Sequence, residues 1–419
     1  MDAVEDIVIV GAGIAGLTTA LGLHRLGLRS LVLESSHSLR VTGFAFITWT
    51  NAWRALDAIG VGDYLRQHHN QLYGLQSAST VSGLQTSEIS FKAKGKNGEH
   101  DIRCLQRKVL LEALLKELPN GTIRYSSKVV SVEESGYLKL VHLADGSILK
   151  TKTLFVTILE LEGVDRMRWS ELNGGKMAGL KKPAFTRRYA FRAYAYFKSG
   201  HGFEPKFLQF FGKGVRSGFI PCDDKTVYWF MAFTPSSQEK QMENDPAKMK
   251  QFALSNLGNV PDQVKAVVES TEMDSISLAQ MRFRYPWELL WGNISKDNVC
   301  VAGDALHPMT PDLGQGACSA LEDTVVLARC LAEALSKKPK NKAEEKEEEE
   351  FKRIKMGLEK YAKERRYRGI DLITSSYLVG FIQQSDGKML NFIRDKISAL
   401  LAGVPLKKAD FDCGKLSMS

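Results

Sequence analysis

The 419-residue sequence predicts an α/β fold with a parallel sheet domain, an inserted antiparallel β-sheet domain and C-terminal helices. Residues 6–34 read as an apolar strand, a glycine-rich turn, a helix and a second strand, which is the pattern of a βαβ unit. Residues 185–235 hold short alternating strands separated by Gly, Pro and Asp turns, which is typical of an antiparallel sheet. Residues 351–383 and 388–403 have the apolar spacing of two helices.

The connecting segments complete this outline. Residues 108–118 predict a helix, and the turn at residues 144–147 joins two alternating runs as a β-hairpin would. Residues 337–350, KKPKNKAEEKEEEE, form a charge block that we interpret as a solvated linker or an exposed helix start. The apolar stretch at 372–384 is shorter than the roughly 20 residues of a membrane span. We therefore predict no transmembrane span, favour a docked helix there, and leave peripheral membrane contact open.

Composition excludes several classes of protein. Hydrophobic residues make up 44% and charged residues 25% of the chain, which is ordinary for a folded soluble protein. The net charge is +9, but the basic residues are dispersed, so we expect no nucleic-acid partner. The six cysteines show no CxxC pair and no metal-binding spacing, so we expect free thiols and no metal. The N-terminal segment MDAVEDIVIV lacks the basic region of a signal peptide, and we expect a cytoplasmic protein.

The first motif with chemical content is GAGIAG, which places Gly11, Gly13 and Gly16 in the GxGxxG spacing, with Ala12 between the first two. Glycine permits the tight turn, the close approach of a pyrophosphate and close packing of the following helix. Glu34 ends the next predicted strand, where a carboxylate accepts hydrogen bonds from ribose hydroxyls. These residues predict a Rossmann-like dinucleotide site and leave the choice between FAD and NAD open.

The second motif lies in residues 299–335, where a buried strand is followed by a loop rich in Gly and Pro and then by an amphipathic helix. A polar turn before a helix N-terminus is a common ligand site in α/β folds. Its segment GDALHPMTPDLGQGACSALED, together with GAGIAG, LRVTGFA and RCLQRKVLLEAL, resembles the class A flavin monooxygenases, the para-hydroxybenzoate hydroxylase-like family. The similarity extends over nearly the whole chain and is greatest to the plant members.

The resemblance implies a Rossmann-like FAD-binding domain with an inserted antiparallel β-sheet substrate domain. We predict that residues 1–180 and 280–335 form the discontinuous FAD-binding domain. Residues 181–279 would form the substrate domain, and residues 336–419 the charged linker and C-terminal helices. The cofactor implied is FAD, with NADH or NADPH as co-substrate.

The resemblance also implies roles for particular residues. Asp304 would bind the ribityl chain of FAD, because a carboxylate accepts hydrogen bonds from hydroxyls. Gly314 and Gly316 would let the backbone pass close to the isoalloxazine ring, and a helix starting near Gln315 would direct its positive end at the flavin. Arg40 and Arg107 would contact the cofactor or close the site. The predicted cofactor-binding residues are Gly11, Ala12, Gly13, Gly16, Glu34, Arg40, Arg107, Asp304, Pro311, Gly314, Gln315 and Gly316.

No side chain is assigned a catalytic role, and His307 is interpreted as a packed loop residue. The family carries an Asp-Gly pair, followed by Ser and usually Arg, after the strand at residues 153–156. In this chain Glu162-Gly163 would stand in for the pair and Arg166 or Arg168 would supply the positive charge, but the Ser is absent. Our hypothesis is that residues 157–177 form an irregular loop that weakens reduction of the flavin.

The reaction implied is hydroxylation or epoxidation of an apolar or aromatic small molecule by O2 through a flavin C4a-hydroperoxide. Two alternatives stay open: a flavoprotein reductase or oxidase on the same scaffold, and a non-catalytic protein that binds FAD or a partner. Aromatic residues of the second sheet would either cover the substrate or form ordinary sheet core, the latter being favoured residue by residue. These are Phe207, Phe211, Phe219, Tyr228 and Phe230. The sequence predicts neither the identity of the substrate nor the oligomeric state.

Overall fold

A computed structural model describes residues 4–39, 45–157, 180–235, 245–336, 347–384, 400–401 and 403–416. Most of its strands belong to two large sheets. The strands are β1 (Val4–Val10), β2 (Leu31–Leu33), β3 (Ala45–Thr48), β4 (Gly74–Ser79), β5 (Gln85–Ser90), β6 (Lys94–Gly95), β7 (Gly98–Glu99), β8 (Arg103–Gln106), β9 (Ile123–Arg124), β10 (Val129–Ser135), β11 (Leu138–Leu143), β12 (Ile148–Val156), β13 (Ala184–Tyr196), β14 (Lys206–Gly212), β15 (Val215–Pro221), β16 (Thr226–Phe233), β17 (Ile276–Phe283), β18 (Ser295–Lys296) and β19 (Val299–Val301).

Helices cover both large sheets, and short 3₁₀ turns at Gly303–Ala305 and Pro311–Leu313 lie in the loop after β19. No helix in the described ranges has both the length and the apolar character that crossing a membrane requires. The helices are α1 (Ile14–Arg25), α2 (Thr50–Ala58), α3 (Gly62–Arg66), α4 (Arg107–Glu117), α5 (Pro246–Asn256), α6 (Asp262–Glu269), α7 (Pro286–Trp291), α8 (Gly316–Ser336) and α9 (Glu347–Gln384).

The first sheet has eight strands and contains the predicted βαβ unit, since β1 pairs in parallel with β2 across helix α1. On its other side β1 pairs in parallel with β12, and β12 pairs in parallel with β19. Because Val10, Val156 and Val301 are in register, the segments that follow these strands emerge at one edge of the sheet. The predicted hairpin is also present, as β11 and β12 pair antiparallel.

The second sheet has seven strands in the order β17-β13-β16-β15-β14-β4-β5. The antiparallel prediction for residues 185–235 is confirmed, but β14 also pairs in parallel with β4. This parallel pairing brings β4 and β5 into the second sheet, although residues 74–90 lie inside the 1–180 range predicted for the FAD-binding domain. Alternation within a strand defines its two faces and carries no information about a partner far away in sequence.

The C-terminal part is dominated by α9, a helix of 38 residues that packs against α8 and α7. Its first residues, Glu347–Glu350, are the end of the predicted charge block, while residues 337–346 lie outside the described residues. Most of the second predicted C-terminal helix, at 385–399 and 402, also lies outside them. Residues 403–409 are helical.

Candidate active site

The glycine-rich turn after β1 has the backbone geometry that a phosphate requires. Gly11 has a φ of 105°, a conformation that favours glycine. A Cβ on Gly16 would lie 1.9 Å from the carbonyl oxygen of Gly11, so α1 approaches the turn only because residue 16 has no side chain. Around Gly13 no atom of the described residues, its chain neighbours aside, lies within 4 Å of the corresponding position, and none of their side chains caps α1. The turn therefore leaves open space at a helix N-terminus, which suits a pyrophosphate.

Glu34 lies beside this turn, immediately after β2. Its Oε2 accepts a hydrogen bond of 3.0 Å from the backbone N–H of Ala12, and its Oε1 accepts one of 2.9 Å from the N–H of Ser36. Oε1 also accepts a 3.2 Å hydrogen bond from Oγ of Ser35. The loops after β1 and β2 therefore fix the orientation of the carboxylate, and Oε2 retains a lone pair for another donor. This arrangement fits the role of a ribose acceptor that the sequence predicts for Glu34.

The second predicted motif meets the first at the same edge of the sheet. The N–H of Gly303 donates to Oδ2 of Asp323 at 2.8 Å, which holds the loop against α8. A Cβ on Gly303 would lie 2.9 Å from Cβ of Ala15 in the first turn of α1. Asp304 therefore emerges next to the glycine-rich turn, and the structure brings the two sequence motifs into one cleft.

Asp304 combines solvent access with strong desolvation. Its side chain is exposed, yet the surrounding protein raises the pKa of the carboxyl above its usual range by desolvation. The positive charges of Arg192 on β13 and Arg107 at the start of α4 act on the same pKa and lower it in part. Because their charges act on this pKa, Arg107 and Arg192 lie near the Asp304 carboxyl.

Replacing Asp304 with asparagine is expected to raise the unfolding temperature of the FAD-free protein at pH 8 and to weaken FAD binding. A carboxyl whose folded pKa is raised destabilises the fold when it is ionised, and this penalty fades as the pH falls below the usual carboxyl range near about 4. The gain in stability should therefore be present at pH 8 and absent at about pH 4. Thermal unfolding at both pH values and a FAD titration measure the two effects.

The matched control for this substitution is Asp63→Asn, because the Asp63 side chain is 98% exposed. It should change neither quantity by more than the small amount expected of a surface ion pair. An Asp304 variant that binds FAD as tightly as the wild type would contradict the assignment of this carboxyl.

The loop that follows Asp304 makes a sharp turn at Gly314, whose φ is 64°. A Cβ there would lie 2.3 Å from Cγ2 of Ile47 and 3.2 Å from Nε1 of Trp49, so only glycine fits. Gln315 is fully buried, and its Oε1 accepts a 2.9 Å hydrogen bond from Asn51 while its Nε2 has no partner among the described residues. Gly316 then begins α8, as predicted, and Pro311 at the start of the turn is exposed.

Beneath this loop lies a buried charged network that we did not predict from the sequence. Oδ1 of Asp323 accepts a 2.6 Å hydrogen bond from Arg365 of α9, and Glu322 is 2.7 Å from both Arg365 and Arg368. Burial would raise the pKa of both carboxyls, but the arginines and, for Asp323, also His307 lower each pKa below its usual range. The only signal in the sequence was a pair of acids inside an otherwise apolar helix, since such charges need partners.

His307 belongs to this network. Its Nε2 is 2.6 Å from Oδ2 of Asp323 and 3.1 Å from Oγ of Ser319, and its ring is fully buried. Arg284 supports the same loop from the other side by donating to the carbonyl oxygens of Leu306 and Ala305. These contacts describe His307 as a packed, hydrogen-bonded residue that holds the shape of the loop.

The second sheet faces the cleft with one surface only. Arg192 and Tyr194 of β13 are exposed on that surface, and they pair across the sheet with Phe230 and Tyr228 of β16. A Cβ on Gly218 would lie 2.4 Å from the Phe230 ring, so this glycine makes room for the ring.

The five aromatic residues considered from the sequence do not form one surface. Phe207, Tyr228 and Phe230 pack with the core beneath the first sheet and its helices, and Phe207 and Phe230 meet edge to face. Phe219 instead lies in the core between the second sheet and helices α5 and α6, where it stacks on Trp229. Because the side chains of a strand alternate between its faces, aromatic content alone did not separate the two groups.

Two predictions concern residues that lie outside the described ranges. Arg40 lies outside the described residues, and so do residues 158–177 of the loop hypothesised to weaken flavin reduction. Thr157, at the start of that loop, donates a 2.9 Å hydrogen bond from its Oγ1 to the carbonyl of Val10. The loop hypothesis therefore stays a prediction.

Two family profiles and several known proteins are similar to this chain over most of its length. The family profile described as FAD binding domain matches residues 177–361, and the profile described as lycopene cyclase protein matches residues 6–161. The chain is 54% identical over 413 residues to Monooxygenase 2 of Arabidopsis thaliana, with 98% of each chain covered. It is 34% identical over 420 residues to Monooxygenase 1 of the same plant, with 98% of this chain and 99% of the relative covered.

The fold is similar to that of the crystal structure of Klebsiella pneumoniae HpxO complexed with FAD and uric acid. The TM-score is 0.79 at 17% sequence identity, with 98% of each chain covered. At this identity the comparison concerns the fold, and it extends over both large sheets.

Proposed function

Because the chain belongs to the FAD-dependent monooxygenase family and FAD is its cofactor, we propose that it uses NADH or NADPH and O2 to hydroxylate or epoxidise an apolar or aromatic small molecule. The observation that carries the proposal is the meeting of the Gly11–Gly16 turn and Asp304 in one cleft beneath the aromatic surface of the second sheet. A dinucleotide site alone would need no such surface opposite it.

The residues of the cleft would each hold a different part of FAD. The open space at Gly13 and the uncapped start of α1 suit the pyrophosphate, and Glu34 suits the ribose. Asp304 suits the ribityl hydroxyls, and the backbone from Gly314 to Gly316, with the start of α8, suits the flavin ring. Bound FAD supplies the transfer of electrons from reduced nicotinamide to O2.

The chain's own contribution to the reaction is orientation of the substrate and exclusion of water. Phe230 is only partly buried, and together with the more deeply buried Tyr228 it would offer an apolar wall on the side of the cleft opposite the FAD residues. Arg107 and Arg192 place positive charge near Asp304, which favours a substrate with a polar or anionic edge. The uric acid in the Klebsiella structure supports an aromatic, heteroatom-rich substrate for this family.

The test is to add NADPH anaerobically to the purified, FAD-loaded protein while the visible spectrum of the flavin is recorded. We expect the flavin band to bleach, and to bleach faster when an aromatic substrate is present. Re-oxidation under ¹⁸O2 should then place one labelled oxygen atom in the product, which mass spectrometry detects.

Each alternative function predicts a different result in this experiment. Bleaching without incorporation of ¹⁸O would replace the proposal with a reductase or an oxidase. A band that neither NADH nor NADPH bleaches would replace it with a non-catalytic FAD-binding protein and would direct attention to residues 157–177. The same measurement on Asp304→Asn, reloaded with excess FAD, separates loss of cofactor from loss of reduction.

A further inference from the structure

A buried ion cluster joins the loop at residues 304–316, which we call the flavin loop, to the second sheet. Asp312, in the turn before Gly314, accepts hydrogen bonds of 2.9 and 2.7 Å from Nη2 of Arg188 and one of 2.8 Å from Nη1 of Arg216. Nη2 of Arg216 also donates to the backbone carbonyl of Asp312 at 3.1 Å. The Asp312 side chain is completely buried, and those of Arg188 and Arg216 are nearly so. We call these three residues the Asp312 cluster.

An irregularity in β13 positions Arg188 for this contact. The pairing of β13 with β17 shifts register between Phe185 and Tyr189, and Arg187 has a φ of 63°. Thr186 stabilises the bulge, because its Oγ1 donates to the carbonyl of Met281 at 2.9 Å and accepts from the N–H of Arg188 at 3.1 Å. A bulge re-aims the side chain that follows it, and a non-glycine residue at positive φ persists only where its surroundings impose it.

Helix α9 has a matching adaptation at Gly380. A Cβ at this position would lie 2.0 Å from Oδ2 of Asp312 and 2.5 Å from Nη1 of Arg188. Glycine inside a helix is less favourable than alanine, so its presence here fits the space that the cluster occupies. Strands β13 and β15 therefore each supply an arginine to the Asp312 carboxylate, and α9 leaves space for it.

The cluster carries more positive than negative charge. Two guanidinium groups share one carboxylate, and no second carboxylate of the described residues forms an ion pair with either arginine. Burial, only partly opposed by Asp312, and the neighbouring charge of Arg188 lower the pKa of Arg216. The Arg216 guanidinium also lies 5.2 Å from the centre of the Phe230 ring, which links the cluster to the aromatic surface of the cleft. The cluster therefore has a surplus of one buried positive charge, and its carboxylate residue, Asp312, stands two residues before Gly314.

We propose that the Asp312 cluster is a positioning element that fixes the flavin loop against the second sheet and that its surplus positive charge favours the reduced, more negative form of FAD. This inference rests on the position of FAD proposed above. A charge held in place by its own ion pairs, and away from water, acts on a neighbouring redox group far more strongly than an exposed one.

The test uses two substitutions that change the charge of the cluster in opposite directions. Asp312→Asn raises the surplus from one to two, and Arg188→Gln lowers it to zero. We expect the midpoint potential of bound FAD to become more positive in the first variant and more negative in the second. The ratio of affinities for reduced and oxidised FAD should change on the order of tenfold, in opposite directions.

Opposite shifts distinguish this role from a structural one. Loss of packing would lower the unfolding temperature in both variants and move the potential in one direction or not at all, and either result would overturn the proposal. The double variant, which combines Asp312→Asn with Arg188→Gln, returns the surplus to one and should restore the potential towards the wild-type value. Arg188→Lys keeps the charge, so it should retain the potential even where Arg188→Gln or Asp312→Asn folds poorly.

The matched control is Asp371→Asn, which makes the same change of charge at a side chain of α9 that is 45% exposed and paired with Lys408. It should leave the potential unchanged. If the wild-type protein binds no FAD, the proposed function fails. If FAD binds and the two cluster variants leave its potential unchanged, only the present inference fails.

Discussion

Replacing Arg365 with methionine is expected to lower the stability of the FAD-free protein by about 3–5 kcal/mol. Arg365 is fully buried and contacts Asp323 at 2.6 Å and Glu322 at 2.7 Å. Methionine fills much of the same volume but leaves two carboxylates with one fewer cation in the core. Removing one member of a buried ion network is strongly destabilising because the remaining charge has lost its compensation.

The dependence of this loss on pH follows from the depressed pKa values of Glu322 and Asp323. A carboxyl with a depressed folded pKa stabilises the protein above its unfolded pKa of about 4, and this stabilisation is lost as the pH falls through the folded pKa. The difference between wild type and variant should therefore be greatest at neutral pH and should narrow in acid. Thermal or urea unfolding at pH 7 and pH 4 measures it.

The control for Arg365 is Arg329→Met, which removes a partly exposed ion pair of 2.7 Å with Glu364 and a 3.0 Å hydrogen bond to the carbonyl oxygen of Cys413. It should cost no more than about 2 kcal/mol. Combining Arg365→Met with Asp323→Asn should recover part of the loss, because Asp323 loses its arginine in the single variant whereas Glu322 keeps Arg368. A loss at Arg365 no larger than that at Arg329 would show that the network contributes little to stability.

The second large effect is expected at Gly16, where alanine should abolish FAD binding and destabilise the fold. The added Cβ would lie 1.9 Å from the Gly11 carbonyl oxygen, so α1 and the turn must separate. Gly13→Ala is the matched substitution, because in the part of the chain that the structure describes only its neighbours in sequence come within 4 Å of its Cβ position. It should fold normally and still bind FAD at least about tenfold more weakly, since the methyl group would enter the space assigned to the pyrophosphate.

A fluorescence titration with FAD and an unfolding curve for the FAD-free protein separate these two outcomes. Normal FAD binding by Gly13→Ala would place the pyrophosphate elsewhere. Normal stability of Gly16→Ala would mean that the first turn of α1 adjusts without consequence, contrary to the close packing described here.

The sequence was informative where structure depends on neighbours in the chain. The βαβ unit, the hairpin of β11 and β12 and the start of α8 at Gly316 follow from apolar periodicity and glycine spacing. The convergence of Gly13 and Asp304 could be expected from the topology, because parallel strands that share a sheet present their carboxyl ends at one edge.

It was uninformative where a side chain depends on a partner far along the chain. Arg188, Arg216 and Asp312 come from two strands and a loop, and no local pattern states which charge meets which. The parallel pairing of β14 with β4 is hidden for the same reason. The available signal was weaker: an arginine inside an apolar strand, such as Arg188 in RRYAF or Arg216 in VRSGFIP, needs either solvent or a counter-ion.

Because α9 follows both FAD motifs in the chain, it affects when the FAD site can form during protein synthesis. The residues that form the glycine-rich turn, Glu34 and the loop around Asp304 all leave the ribosome before Arg365 and Gly380 are made. Until then Glu322 and Asp323 lack a cation that keeps them buried, and the flavin loop lacks its cover. We therefore expect the nascent chain to carry both FAD motifs without a completed pocket and to bind the cofactor tightly only after α9 has been made.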